Sequence, residues 1–197
     1  MIRSQLRHIL LARHHNGYGI HSPYLYHLVT HVLFNKNRYY CFDSIESLFP
    51  APEKEHAIGQ AIFRLAEDIN ASTLVACCDA NSIDLAYLTS VKSEARLFCL
   101  LDTEEMRQSI DTMATIDLAV FGRCTDADKL TAVLEQCIEH TQDKSVFVVK
   151  NIHSKQMEQR WYSIIKHPKV RASLDIFHYG ILLFNPDLEK RQYIIRQ

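Results

Sequence analysis

Residues 72–101 read Ser72-Thr-Leu-Val-Ala-Cys-Cys-Asp-Ala-Asn-Ser-Ile-Asp-Leu-Ala-Tyr-Leu-Thr-Ser-Val-Lys-Ser-Glu-Ala-Arg-Leu-Phe-Cys-Leu-Leu101. The apolar run Leu74 to Cys78 is strand length, Ile83 to Val91 is amphipathic, and Leu97 to Leu101 is a second short apolar run. A strand, a crossing helix and a second strand form the smallest unit of a parallel sheet, because a parallel partner is reached only by a long crossover. Toward the C-terminus the unit repeats: Glu104 to Met113 as helix, Leu118 to Phe121 as strand, Asp126 to His140 as helix, Val146 to Val149 as strand and Ser154 to His167 as helix. Four such units predict an α/β fold, a mostly parallel sheet with helices on both faces and right-handed crossovers. The rhythm then breaks. Val170 to Phe177, Ile181 to Phe184 and Tyr193 to Ile195 are strand-like runs with no room for helices between them, so antiparallel pairing is expected around His178-Tyr179-Gly180. Residues Arg191 to Arg196 are expected to be the antiparallel C-terminal strand.

Toward the N-terminus the texture is helical. Ile2, Leu6, Ile9 and Leu10 have helical spacing as far as Arg13, ahead of a loop holding Gly17 and Gly19. A second helix is predicted from Pro23 to about Phe34, with Ser22 as N-cap and Pro23 at the first position, where its missing N–H costs nothing. A short helix is expected over Asp43 to Phe49 and a longer one over Glu53 to Ile69, with Ile58, Ile62, Leu65, Ala66 and Ile69 on one face. The expected organisation is a helical N-terminal extension, residues 1–70, and an α/β core, residues 71–197, in one compact unit. A chain of 197 residues that is 47% hydrophobic fits one sizeable core.

Charge is unevenly placed. Residues 1–42 contain no Asp or Glu but carry Arg3, Arg7, Arg13, Lys36 and Arg38, so a basic head of +5 precedes a body of −6 in a chain of net charge −1. No run approaches the roughly 20 apolar residues needed to span a bilayer, and the first residues lack a cleavable leader pattern, so a cytoplasmic, non-integral protein is expected. The six cysteines, Cys41, Cys77, Cys78, Cys99, Cys124 and Cys137, form no Cys-x-x-Cys pair. They read as reduced thiols, with the neighbours Cys77 and Cys78 packing on opposite faces of a strand.

The segments Gly19-Ile-His-Ser-Pro-Tyr24, Arg38-Tyr-Tyr-Cys-Phe-Asp43, Ser145-Val-Phe-Val-Val-Lys-Asn-Ile-His-Ser-Lys-Gln-Met-Glu-Gln-Arg-Trp161 and Ser173-Leu-Asp-Ile-Phe-His-Tyr-Gly-Ile-Leu-Leu-Phe184 resemble a class I S-adenosylmethionine-dependent methyltransferase-like family of Bacteroidetes-type bacteria. With the strand-helix rhythm between them, the likeness spans nearly the whole chain. It implies a Rossmann-like methyltransferase fold, a seven-stranded, mostly parallel sheet with an antiparallel C-terminal strand. It also implies a cofactor site on the loops after the strands, where glycines let the backbone approach the cofactor and an acid after the second strand accepts the ribose hydroxyls.

At those loops the chain departs from the pattern. Where the family pattern has an acid and two glycines, this sequence has Ala76, Cys78 and Ser82, and no glycine occurs between Gly59 and Gly122. Asp79, Asp84 and Asn81 are the available substitutes. Asp102 stands near the ribose position but also reads as a helix start with Thr103-Glu104-Glu105. Gly122 replaces an expected Asp, and Lys150-Asn151 replaces paired acids. The vestigial pocket is therefore assigned to Cys78, Asp79, Ser82, Asp102 and Gly122, with no cofactor favoured. The expected function is a catalytically degenerate methyltransferase-like domain acting as a binding or scaffold protein; the alternative is an active S-adenosylmethionine-dependent methyltransferase of unspecified substrate.

His153, after the fourth strand, is the candidate catalytic residue as a substrate contact or general base, and its plain reading is a loop histidine capping the helix from Ser154. His27 and His31 share a helix face, but with no nearby carboxylate to complete a site they are assigned no metal. His14, His15 and His21 lie beside Gly17 and Gly19 in a segment of lid character. Trp161 and Tyr162, after Met157, read as the buried face of their helix. For the head, docking to protein or self-association ranks first. Nucleic acid comes second, through Arg3, Arg7 and Arg13 on phosphates and Tyr18, Tyr24 and Tyr26 on bases, and an anionic membrane surface third.

Overall fold

Seven strands of the central sheet in the computed structural model are those the apolar runs predict, and an eighth, the two-residue β1 (His14–His15), is added at its edge from a segment expected to be loop. The structure describes residues 2–12, 14–15, 17–79, 82–92, 94–99, 108–122 and 126–196. In chain order the strands are β1 (His14–His15), β2 (Thr73–Cys77), β3 (Arg96–Cys99), β4 (Ile116–Phe121), β5 (Thr141–Lys150), β6 (Ala172–Asp175), β7 (Tyr179–Leu183) and β8 (Arg191–Arg196). They lie side by side as β1-β8-β6-β7-β5-β4-β2-β3. β3, β2, β4 and β5 are mutually parallel, with Leu74 opposite both Leu97 and Leu118, and Val148 opposite Val120.

This is the Rossmann-like class, a mostly parallel sheet with one antiparallel member near the C-terminus. That member is β7, paired antiparallel with both β5 and β6, whereas β8 runs parallel to β6. Residues 191–196 are therefore not the antiparallel strand. β7 ends with Leu183 opposite Ala172, at the end of the sheet from which β6 starts, and β8 sets out from that same end with Arg191 opposite Ala172. β2 lies second from the sheet's edge.

Alternation along the strands divides the core. Leu74, Ala76, Cys78, Leu118, Val120, Val146 and Val148 face one apolar cluster, and Val75, Cys77, Ala119, Phe121, Phe147 and Val149 face the other. Cys77 and Cys78 lie on opposite faces, as their adjacency requires. Against the first face pack α2 (Pro23–His27), α3 (Phe42–Leu48), α4 (Glu53–Asp68) and α5 (Ile83–Leu88); against the second pack α6 (Ala127–Glu139) and α7 (Glu158–Ile164). Trp161 is fully buried, and a Cβ on Gly180 would lie 2.3 Å from its ring, so the β7 backbone passes directly against the indole.

Three helices differ from their sequence reading. Ser22 caps α2, its hydroxyl accepting from the Leu25 N–H at 3.4 Å, but the helix changes to a π turn over Leu28–Leu33. There the Thr30 hydroxyl donates to the Tyr26 carbonyl at 2.7 Å, four residues back. α7 begins only at Glu158, because residues 151–157 are spent on turns that start from Asn151 in a left-handed conformation (φ 57°). Of the helix expected over Glu104 to Met113, residues 108–111 are helical and its start lies outside the described residues.

α1 (Ile2–Leu11) is turned relative to its apolar spacing: Leu10 is 83% exposed and Leu6 is exposed, while His8 is 7% exposed. No helix of the described residues is long and apolar enough to cross a membrane.

Candidate functional site

The carboxyl ends of β2, β4, β5 and β6 lie along one edge of the sheet, where open α/β folds place ligands. Two groups of buried ionisable side chains stand there.

The first surrounds a cleft of about 540 Å³ lined by Glu55, Cys78, Asp79, Ser82, Asp84 and Lys150, with Asn151 and Ser154 at its border. Ser82 caps α5, its hydroxyl accepting from the Asp84 N–H at 3.3 Å. Asp84 thereby enters the first turn with its carboxylate buried at 1% exposure. Lys150 ends β5 and turns its ammonium into the same space, donating to Glu55 Oε2 at 2.8 Å and to both Asp84 oxygens at 2.9 and 3.1 Å. Burial alone pushes the Lys150 pKa down, but the Asp84 and Glu55 carboxylates outweigh it and raise it above its ordinary value. Burial likewise pushes Glu55 up, and the Lys150 contact outweighs it and holds the carboxyl below the usual range. Burial beside Asp84 pushes the Cys78 thiol up to about 11, so it is protonated and a poor nucleophile near neutral pH.

The second group is His8, His153 and Asp175. Asp175 ends β6, and its carboxylate meets His153 Nε2 at 2.9 and 3.0 Å and His8 Nε2 at 3.2 Å. The Phe177 N–H donates to Asp175 Oδ1 at 3.0 Å, with Phe177 itself at φ 64°. Burial raises the Asp175 pKa, but these donors prevail and hold it at about 2. For His8, burial is outweighed by Asp175, and its pKa is raised. An adjoining cleft of about 230 Å³ is lined by Arg7, Leu11, Glu158 and Tyr162 as well as by the three.

Of the residues singled out in the sequence, Cys78, Asp79 and Ser82 come together in the first cleft. Gly122 does not line it: its N–H donates to the Cys77 carbonyl at 2.9 Å, and a Cβ there would lie 2.7 Å from the Cys78 Cβ, so it serves the close approach of two strand ends. Asp102 and Asn81 lie outside the described residues. His153 does not cap α7; it belongs to the second group.

His27, read as having no carboxylate nearby, meets Asp68 Oδ1 at 2.9 Å, a partner 41 residues away. Sequence reasoning noted Lys150 only as a lost acid and passed over His8, Glu55 and Asp175. Asp175 carried only a weak signal, an acid inside the apolar run Val170 to Phe177, and His8 carried none. Of the head's cations, Arg7 lies 3.8 Å from Glu158 and Arg38 pairs with Asp43 and Glu46, while Arg13 and the Arg3 side chain lie outside the described residues.

No family model matches the sequence, and no curated protein matches it. Solved structures do match. The O-methyltransferase from Bacillus cereus in complex with SAH is 14% identical, with a TM-score of 0.54 over 78% of this chain and 93% of that one. The O-methyltransferase TomG from Streptomyces achromogenes, in complex with SAM, is 11% identical with a TM-score of 0.55 over 76% and 91%. Cofactor-bound Rv0187 from MTB is 13% identical with a TM-score of 0.55 over 74% and 88%. The chain thus has the class I methyltransferase fold. The expectation that no cofactor is favoured is overturned by this comparison, because the structures sharing three quarters of the chain are bound to SAM, SAH or a cofactor.

Proposed function

We propose that this chain binds S-adenosylmethionine in the Lys150 cleft and acts as an S-adenosylmethionine-dependent methyltransferase. The observation that carries the proposal is the cleft itself, about 540 Å³ of polar space at the carboxyl edge of β2 and β5, in a fold whose solved relatives bind this cofactor. Its lining suits the cofactor's charges: the Ser154 hydroxyl is a donor for a carboxylate, and Glu55 and Asp79 are acceptors for an ammonium. Asp102, after β3, is the proposed acceptor for the ribose hydroxyls. The bound cofactor supplies an electrophilic methyl group; the chain's own residues bind and orient it. The proposal gives His153 no proton-transfer step, because its Nε2 is held on Asp175 beside a different cleft.

Calorimetric titration of the full chain with S-adenosylmethionine and S-adenosylhomocysteine tests the reading. Saturable binding is expected, together with a melting temperature that rises by mass action, and Asp102→Ala should weaken it more than His153→Ala. Absence of binding at millimolar cofactor refutes it. Production of S-adenosylhomocysteine with an acceptor present separates turnover from binding alone.

For the basic head, docking on acidic protein surface is the reading that Arg7 on Glu158 and Arg38 on Asp43 and Glu46 favour. Tight RNA binding at physiological salt that disappears when Arg3, Arg7 and Arg13 are all changed to Gln transfers the segment to nucleic acid.

A further inference from the structure

The His8, His153 and Asp175 group is more than a hydrogen-bonded lock, and we propose that it is a transition-metal site, with Nε2 of both histidines and one carboxylate oxygen as ligands. The assignment is independent of whether the other cleft holds a cofactor. Three separate elements bring the ligands in: α1, the turn after β5, and the end of β6. Their ligand atoms all lie within 4.8 Å of one another, the only such convergence of three His, Cys or acidic groups among the described residues. A tetrahedral ion with metal–nitrogen bonds of about 2.0–2.1 Å needs ligand atoms about 3.3 Å apart. Asp175 Oδ1 already approaches that spacing, 3.0 Å from His153 Nε2 and 3.2 Å from His8 Nε2, and the two imidazole nitrogens lie within 4.8 Å of one another.

The surroundings are built to hold these atoms. Phe177 adopts φ 64°, a conformation costly for a bulky side chain, and in doing so its N–H fixes Asp175 Oδ1. Its ring stacks on His153 at a centroid distance of 5.2 Å and 23° and lies 5.3 Å from His8. An aromatic wall therefore backs the ligands on one side, and the cleft of about 230 Å³ opens on the other. Two imidazoles and one carboxylate with an open position suit Zn²⁺, Co²⁺, Ni²⁺ or Fe²⁺ and not Mg²⁺ or Ca²⁺, which select all-oxygen sets. The open position faces Glu158 and Tyr162 and takes water or another oxygen donor. Each imidazole binds through Nε2 as the neutral tautomer protonated on Nδ1, so any second proton is released to solvent. Bound metal would tie α1 across the sheet edge.

Zn²⁺ titrated into the chelator-treated full chain should bind one ion per chain and raise the melting temperature. Mg²⁺ should do neither. His8→Gln and His153→Gln should each weaken Zn²⁺ at least about tenfold, the loss typical of disturbing a metal site's supporting groups. His31→Gln is the control for the competing pair His27 and His31, whose rings stack at 5.4 Å beside Asp68, and it should leave affinity unchanged. Crystals of the unaltered protein grown with Zn²⁺ avoid any folding defect of the variants; an anomalous peak at the zinc edge is expected between the three side chains. Absence of saturable binding, loss of binding in His31→Gln with retention in His8→Gln, or an anomalous peak elsewhere overturns the assignment.

Discussion

Replacing Lys150 with Met should destabilise the protein by about 3 kcal/mol, the low end of what breaking a buried ion pair costs. The ammonium holds two carboxylates, but they will not suffer equally. The Glu55 side chain is 32% exposed and can turn to water, whereas Asp84 is 1% exposed and among the described residues keeps only its Ser82 hydroxyl contact at 3.1 Å. The cost is therefore that of stranding the Asp84 charge. Methionine retains most of the buried stem, so lost packing is a minor part. For a chain of this size each kcal/mol moves the midpoint by about 2–4 °C, which gives a fall of about 6–12 °C. Urea unfolding followed by circular dichroism measures the free energy, and a double-mutant cycle with Asp84→Asn isolates the pair. The double variant should recover most of the loss, because a neutral amide in place of the Asp84 carboxylate leaves no charge stranded. A Lys150→Met cost below about 1 kcal/mol, the value of a solvated surface pair, would refute the reasoning, as would a double variant no more stable than the single one.

Glu55 titrates below the ordinary carboxylate range, so its contribution is present above the unfolded-state pKa and is lost as pH falls through the folded-state pKa; stability curves of wild type and Glu55→Gln should differ near neutrality and converge in acid, and parallel curves would count against the contact. Gly180→Ala should cost about 2 kcal/mol or more by forcing a Cβ into the Trp161 ring, with Trp161→Phe in the same chain restoring part of it; chemical unfolding of the three proteins decides. The Cys78 thiol, pushed up to about 11, should resist alkylation at pH 8 in the folded protein while the exposed Cys99 reacts, and mass spectrometry showing Cys78 modified first would overturn that ordering.

The strands were legible because burial on both faces leaves continuous apolar runs such as Leu74 to Cys78 and Val146 to Val149, and residues of that kind have few alternatives. The direction of the last strands was less legible, since pairing depends on which end a short return reaches and not on composition; β8 shows this. The face of α1 was misjudged for a related reason. Its leucines have core spacing, yet the buried contact it makes is polar, through His8 to Asp175, a residue 167 positions away. Separations of 66 positions for Asp84 and Lys150 and 95 for Glu55 and Lys150 hid the other ionic group equally well. The cleft was hidden for another reason, since the loss of glycines around Cys78 and Ser82 says nothing of the space at the sheet edge. Glycines govern how closely a backbone can approach a ligand, but the volume at the sheet edge is set by where the strands end and how far their neighbours stand off, and side chains such as Cys78 and Ser82 leave that volume open.

β1 closes the edge of the sheet beyond β8, with His14 opposite Ile195 and His15 opposite Arg196. In the order of synthesis, the piece that covers this edge is made before the strand it covers. Until β8 is in place, His14 and His15 have no strand to join, so this parallel pairing, spanning almost the entire chain, is the costliest loop to close and forms late. A two-residue pairing at a sheet edge also has few bonds to break, so these residues are expected to part first in native fluctuations. In amide exchange the β1–β8 hydrogen bonds should be the least protected of the sheet, and each opening briefly bares an unpaired β8 edge to any neighbouring chain.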